Sequence, residues 1–290
     1  MTNAAQRERI HVVRHRKSND GLRASVVLTT YNSPHYLELA LEGYRRQTVR
    51  SFEVVVADDG SRDETRALVE RIARAGDLNI VHCWQEDRGF RQARVMNLGV
   101  LHSSAPLIVF SDGDCVPPVD FVEQHIAAHA PRRLTVGWCL RLTREVTAGL
   151  VVEDVRSGRV ERLESSSDRF AAQLLHLKNA WYRLVRHPRR PRIQGLNFSI
   201  DRDLLVEVNG FDLAFENCAR QDSDLRNRVR RLGERVHSIV DRCRVVHLWH
   251  PEHSGRHGSR EAYENYDRRN AGTRAPRGLR ELAEELGSTV

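Results

Sequence analysis

Four short apolar runs, at 25–30, 52–57, 79–84 and 107–110, recur through the first third of the chain. The stretches between them carry apolar residues at helical spacing. In 36–46 these are Leu37, Ala40, Leu41 and Tyr44; 64–75 follows and is stopped by Gly76; 90–101 is the third. Strands joined by helices in this way predict a parallel, doubly wound sheet with helices on its faces. The first run leads into no Gly-x-Gly-x-x-Gly and the chain has no Walker lysine motif. A nucleotide at this sheet is therefore not held in dinucleotide or P-loop fashion.

The fourth run ends in Ser111-Asp112-Gly113-Asp114. Ligands of open α/β sheets bind outside the carboxyl ends of the strands. Two carboxylates one residue apart at such an end suit a hard cation on a diphosphate, and Gly113 lets the backbone turn close to a ligand. The expectation is that Asp112 and Asp114 hold Mn²⁺ or Mg²⁺ on a nucleotide diphosphate. A solvated acidic turn is the plainer alternative.

Beyond this motif the alternation stops. The patterns predict a helix over 121–129 ended by Pro131, a strand over 134–142, and a hairpin or lid over 150–163. A helix follows over 168–184, capped by Ser167, and then a basic, proline-broken loop at 186–192. A strand at 197–200 precedes a helix at 201–208 capped by Asp201. Another helix covers 222–232, and strands cover 235–240 and 244–248. A last helix is expected at 278–286. The divisions expected are a basic tail or early peripheral strand (1–23), a nucleotide-binding half (24–115), an acceptor-side half of the same domain (116–253), and a polar C-terminal tail (254–290).

The 290 residues, 40% of them hydrophobic, suffice for a sizeable core. No apolar run reaches the ~18 residues of a membrane span and no signal peptide opens the chain, which points to a cytoplasmic protein. The five cysteines are scattered and include no Cys-x-x-Cys pair, which argues against a disulfide framework and a structural zinc site. The net charge is +7, almost all of it from arginine. No helix-turn-helix, zinc finger or aromatic RNA-binding signature accompanies it, so no nucleic-acid partner is expected. The basic tail is a candidate for peripheral membrane contact. The sequence does not fix the oligomeric state.

Several motifs now resemble one family. Val26-Val27-Leu28-Thr29-Thr30-Tyr31-Asn32, Gln47-Thr48, the 52–61 segment ending Asp58-Asp59-Gly60-Ser61, and Ser111-Asp112-Gly113-Asp114 resemble family 2 glycosyltransferases of the GT-A fold. Gly195-Leu196-Asn197-Phe198, Asn209-Gly210-Phe211-Asp212, Gln221-Asp222-Ser223-Asp224 and His247-Leu248-Trp249-His250 resemble the galactosyltransferase-type C-terminal region. The resemblance runs over roughly 24–253 in the same order. It implies a Rossmann-like, mainly parallel sheet flanked by helices, with a smaller acceptor-side subregion.

The resemblance also implies roles. Asp59 would accept the uracil N–H of a UDP-sugar, with Thr29, Tyr31 and Asn32 as further donor contacts and Arg91 as a basic group beside the donor. Asp222 would be the general base of an inverting transfer of a hexose-type sugar. His247 and His250, three apart, would join the metal; on a straight strand they point to opposite faces, so a turn is needed after the strand. Asn197, Gln221 and Asp224 would meet a saccharide or small-molecule acceptor. The family usually has Glu-Asp where this chain has Gln221-Asp222. Phe215 to Arg220 replaces the Gly-Trp-Gly-Gly of the animal galactosyltransferases, so their acceptor cannot be carried over; Trp138, Trp181 and the 186–192 loop are further acceptor-side candidates. The alternative activity is nucleotidyl transfer, UDP-sugar hydrolysis, or UDP-sugar binding without transfer.

Overall fold

A computed structural model describes residues 8–15, 21–187, 190–216, 220–251 and 271–290. The chain opens with β1 (Ile10–His15). Then β2 (Ala24–Thr30), β3 (Phe52–Asp58), β4 (Ile80–Gln85) and β5 (Leu107–Asp112) alternate with α1 (Pro34–Arg45), α2 (Asp63–Arg74) and α3 (Gln92–Leu101). The strands β4-β3-β2-β5 are parallel neighbours in that order. The chain thus winds outward from β2 to β4 and returns to the other side of β2. That reversal opens a crevice between the carboxyl ends of β2 and β5, where open α/β sheets take their ligands.

Alternation along these strands fixes both faces. Val27, Val55 and Phe110 enter one buried cluster; Val26, Val54 and Val109 enter the other. A sheet covered on both sides reads as near-continuous Val/Ile/Leu, as these runs do. Below the acidic motif, Phe110 stacks on Phe198 at 4.8 Å and meets Phe211 edge-on at 5.1 Å, so the end of β5 stands on a packed aromatic base.

The sheet continues as β5-β9-β7-β10: β9 (Asn197–Asp201) is antiparallel to β5 and to β7 (Leu134–Val136), and β10 (Val236–Ser238) is parallel to β7. A second sheet has the order β6-β11-β8, built from β6 (Cys115–Val116), β11 (Arg244–His247) and β8 (Trp138–Arg141). The strand expected over 134–142 is therefore two strands in two sheets. The break is Gly137, whose N–H donates to the Asn197 carbonyl. A Cβ there would lie 2.4 Å from the Asn197 side-chain amide, so only glycine lets the chain cross at this point.

Other boundaries also differ from expectation. Residues 10–15 form the peripheral strand, antiparallel to β4; the rest of the expected tail at 1–7 and 16–20 lies outside the described residues. The hairpin or lid expected over 150–163 is α6 (Val152–Arg156) and a 3-10 turn (Glu161–Leu163), preceded by α5 (Arg144–Ala148). Leu150, Val155 and Val160 bury against Leu39 of α1. The long helix α7 (Ser166–Leu184) is capped by Ser165 rather than Ser167, because the Ser165 hydroxyl accepts from the Asp168 N–H at 3.1 Å. After α8 (Arg202–Glu207) and α9 (Gln221–Arg231), the polar C-terminal region ends in α10 (Leu279–Leu286), which buries Leu279 and Leu282 against α3. No helix among the described residues is long and apolar enough to cross a membrane.

Candidate active site

A cleft of about 540 Å³ opens at the carboxyl ends of β2 and β5. Thr29 and Asp112 are register partners in these two strands, and the Thr29 hydroxyl donates to Asp112 Oδ1. The Gly113 N–H donates to the Thr29 carbonyl at 2.7 Å, and a Cβ on Gly113 would lie 3.0 Å from that oxygen. The turn after β5 thus presses onto the end of β2 and leaves Asp114 facing the cleft.

Asp114 is brought to two histidines by the small sheet. Its next residue, Cys115, pairs with His247, and its carbonyl accepts the Leu248 N–H at 2.9 Å. β11 ends at His247, and the chain then turns: the Trp249 N–H donates to Thr147 Oγ1 at 2.9 Å and its carbonyl accepts from the Tyr36 hydroxyl at 3.0 Å. That turn returns His250 to the cleft. His250 Nε2 lies 3.1 Å from Asp114 Oδ2 and His247 Nε2 lies 3.7 Å from Asp114 Oδ1. One ligand atom from each of the three residues lies within 4.8 Å of the others.

The donor set fits a divalent cation. One carboxylate oxygen and two imidazole nitrogens form a borderline set that suits Mn²⁺ better than Mg²⁺, which favours oxygen alone. His250 Nδ1 lies 2.9 Å from the Pro251 carbonyl. A carbonyl only accepts, so Nδ1 carries a proton; Nε2 donates to Asp114 here and would give up its own proton to offer a lone pair to a bound cation. Burial by itself would raise the Asp114 carboxyl, but the His250 hydrogen bond and the fields of both histidines hold it below the usual range. Burial, chiefly, lowers the pKa of His247, against the field of Asp114. Asp112 is not in this cluster; its Oδ1 meets Thr29 and, at 3.3 Å, Gln92 Nε2.

Asp58 and Asp59 divide their work. Asp58 is buried against His82 Nε2 at 3.0 Å and accepts the Ser61 N–H at 2.7 Å, which shapes the turn. Asp59 lines the cleft, accepting from the Arg91 N–H at 2.8 Å and from Gln85 Nε2 at 2.5 Å. Burial pushes its carboxyl up to about 6, against those two hydrogen bonds. Tyr31 stands at the rim, exposed, its hydroxyl donating to Asp87 Oδ2 at 3.0 Å.

Not every expected site residue reaches the cleft. Asn32 holds the turn, its N–H donating to Ser61 Oγ at 2.8 Å and its Oδ1 accepting the Arg62 N–H at 2.9 Å. The Arg91 guanidinium is buried on Glu8 at 2.7 Å, so its hydrogen bond to Asp59 comes from the backbone N–H. Asn197 is fully buried: its amide donates to the Trp138 and Cys243 carbonyls and its Oδ1 meets His125 Nε2 at 3.0 Å. Asp224 is buried on Arg228 at 2.7 Å. Asn197 and Asp224 therefore join sheets and helices rather than presenting groups to an acceptor.

Asp222 lies half-buried in the first turn of α9, with its Oδ1 accepting the Ser223 N–H at 2.6 Å. Burial raises its carboxyl above the ordinary value, against the Ser223 hydrogen bond and the field of Arg226. It does not line the described cleft, and residues 217–219 just before it lie outside the described residues. The connection runs through Gln221, whose Nε2 donates to Gln92 Oε1 at 2.8 Å; Gln92 lines the cleft. The sequence reading missed Gln92, which carries no motif. It also missed Arg141, which lines the cleft beside His247 in the register of β8 and β11. A basic residue closing an apolar strand was the signal for Arg141.

A model of the family described as "Glycosyl transferase family 2" matches residues 25–156. Validoxylamine A glucosyltransferase of Streptomyces hygroscopicus subsp. jinggangensis is 40% identical over 230 residues, covering 72% of this chain and 51% of the relative. The chain thus spans about half the length of that relative. The mannosyltransferase PcManGT from Pyrobaculum calidifontis, solved with GDP-Man and Mn²⁺, has a TM-score of 0.54 at 22% identity, over 80% of this chain and 58% of its own. S. aureus TarS, solved with UDP-GlcNAc, has a TM-score of 0.57 at 16% identity, over 93% of this chain and 68% of its own. These structural likenesses establish the GT-A fold.

Proposed function

From a chain that belongs to glycosyltransferase family 2, through the domain over residues 25–156, we propose an inverting transfer of a hexosyl group from a UDP-sugar to a hydroxyl of a small polar acceptor. The observation that carries this reading is the Asp114–His247–His250 cluster at the crevice whose other wall holds Asp59. A diphosphate laid across the ends of β2 and β5 would reach from one to the other.

In this reading Asp59, ionised, accepts a base N–H, and Tyr31 packs near the base at the rim. Asp112, held by Thr29 and Gln92, faces the ribose and diphosphate side. Asp114, His247 and His250 hold the cation. When bound, that cation neutralises charge building on the leaving diphosphate. Arg141 adds a fixed positive charge on the same side. Asp222 takes the proton of the acceptor hydroxyl as that oxygen bonds to the anomeric carbon. The anomeric C–O bond to the diphosphate breaks on the opposite face, and its electron pair leaves with UDP. The raised carboxyl of Asp222 makes it a better base than an exposed aspartate.

The named activity of the glucosyltransferase relative supports a hexosyl donor and a small acceptor. The two structural neighbours bind different nucleotides, so the fold alone does not select uridine. The test is proton NMR of the reaction of UDP-glucose with validoxylamine A, the acceptor in the relative's name. The β-anomer of the glucoside, formed only when acceptor is present, is expected. An α-linked product would overturn inversion. Release of glucose with no glycoside would favour the hydrolase.

A further inference from the structure

Helix α7 presents its large apolar residues to solvent. Phe170, Leu174, Leu177, Trp181 and Leu184 are each between 52% and 73% exposed. At ~100° per residue they fall within an arc of roughly 80°. The opposite face buries only Ala172 and Asn179 fully, with Leu175 packed against the core. Amphipathic helices of globular domains normally turn such a stripe inward, and an exposed apolar stripe of this length marks a surface that meets something. No described residue covers it.

A basic cleft of about 450 Å³ lies at the carboxyl end of the same helix. Arg183, at the end of α7, and Arg186, just beyond it, line this cleft with Arg190, Arg230, Arg231 and Arg235. Among the described residues its one carboxylate, Glu234, is taken by Arg132 at 2.6 Å. Arg230 donates to the His187 and Pro191 carbonyls and Arg183 contacts His237 Nδ1, all neutral partners. The crowding of positive charge shows in its neighbours. Arg230 is pushed down to about 10 by burial and then by Arg226, and His237 to about 4 by burial and then by Arg133, Arg183 and Arg235.

We propose that the exposed stripe of α7 and the adjoining arginine cleft form a docking surface for an anionic lipid bilayer. The helix would lie in the interface with Phe170, Leu174, Leu177, Trp181 and Leu184 among the acyl chains, while the arginines meet lipid phosphates. Charge separates this partner from a second copy of the chain. The only acid of α7, Asp168, is committed to its N-cap on Ser165, while Arg169 and Lys178 flank the stripe on either side. Two such faces would set positive charge against positive charge in either orientation.

The test is co-sedimentation of the full chain with phosphatidylcholine vesicles, with and without phosphatidylglycerol. Salt-sensitive binding to the phosphatidylglycerol vesicles is expected, with a blue shift of tryptophan emission that Trp181→Gln abolishes. Leu177→Gln combined with Trp181→Gln should weaken binding roughly tenfold or more. Arg186→Gln combined with Arg235→Gln should weaken it roughly fivefold or more. All four sites are exposed, so thermal melting should not change. Equal affinity for both vesicle types would overturn the proposal, as would binding that survives both double variants. A wild-type dimer in solution that the stripe variant converts to monomer would give the surface to a second copy instead.

Discussion

Gln221 donates its side-chain amide to Gln92 Oε1 across 2.8 Å, while Gln92 Nε2 lies 3.3 Å from both Asp112 Oδ1 and Thr29 Oγ1. Asp112 is a carboxylate, so Gln92 must offer it the NH₂ end. Its oxygen then faces position 221, which must supply a donor. A Gln there completes the chain from α9 to the end of β5, and a Glu cannot. The departure from the family's usual Glu-Asp pair thus has a local partner.

It follows that Gln221→Glu is not a restoration. The new carboxylate would turn the Gln92 amide and set its oxygen against Asp112. Loss of about 1–2 kcal/mol of interaction is expected, seen as a roughly tenfold fall in kcat/KM. Gln221→Glu combined with Gln92→Lys should recover part of it, because a lysine can serve both carboxylates. The check is a steady-state double-variant cycle.

Asp222→Asn should lower kcat by a factor of roughly 10² to 10⁴ while leaving UDP affinity within twofold, since the base acts on the acceptor and not on the nucleotide. Because burial raises the Asp222 carboxyl, the acid limb of the wild-type pH profile should lie above that of an exposed aspartate. Activity is present above this pKa and lost as pH falls through it. Equal loss of UDP binding in the variant would place Asp222 on the donor side.

Asp59 gives a separate pH signature. Its folded value, about 6, lies above the ordinary 3.8. Between these values the native state binds a proton that the unfolded chain does not, so its contribution to stability falls as pH rises through that window. Relative to Asp59→Asn, the wild type should therefore gain thermal stability as pH drops from 7 to ~5. Nucleotide binding should move the other way, weakening below pH ~6 because only the ionised carboxylate accepts without donating. Gln85 Oε1, buried without a partner, can turn to meet the Asn amide, so the variant should fold.

Asn197 separates a structural role from an acceptor contact. Asn197→Ala removes donors to the Trp138 and Cys243 carbonyls and the partner of His125. A loss of about 2–4 kcal/mol is expected, seen as a lower melting temperature. If the variant melts normally but shows a raised KM for acceptor, the buried placement is not what governs this residue.

What could be read from the sequence follows from the range of the signals. The runs at 25–30, 52–57 and 107–110 are mostly apolar because the sheet is covered on both faces, so the strands and their parallel pairing were legible. Asp114, His247 and His250 carry ligand chemistry and a spacing that predicted the turn after β11, which the structure has. Asp112 looked equivalent to Asp114, but the register of β2 and β5 points it at Thr29, a non-local fact. Arg91 and Asp224 looked like site charges, yet their partners Glu8 and Arg228 consume them. Glu8 lies 83 positions from Arg91. Gln92 carries no motif and acts only through residues from three other elements. Position 137 broke a strand prediction because one glycine crosses between sheets.

The central claim is that Asp114, His247 and His250 hold a divalent cation that completes a UDP site. Calorimetric titration of UDP into the protein, with and without Mn²⁺, tests it most directly, with GDP as control and Asp114→Asn alongside. The account predicts UDP binding that depends on Mn²⁺, weaker GDP binding, and a fall of roughly 100-fold in Asp114→Asn. Equal UDP binding with and without Mn²⁺, unchanged by the substitution, would contradict it.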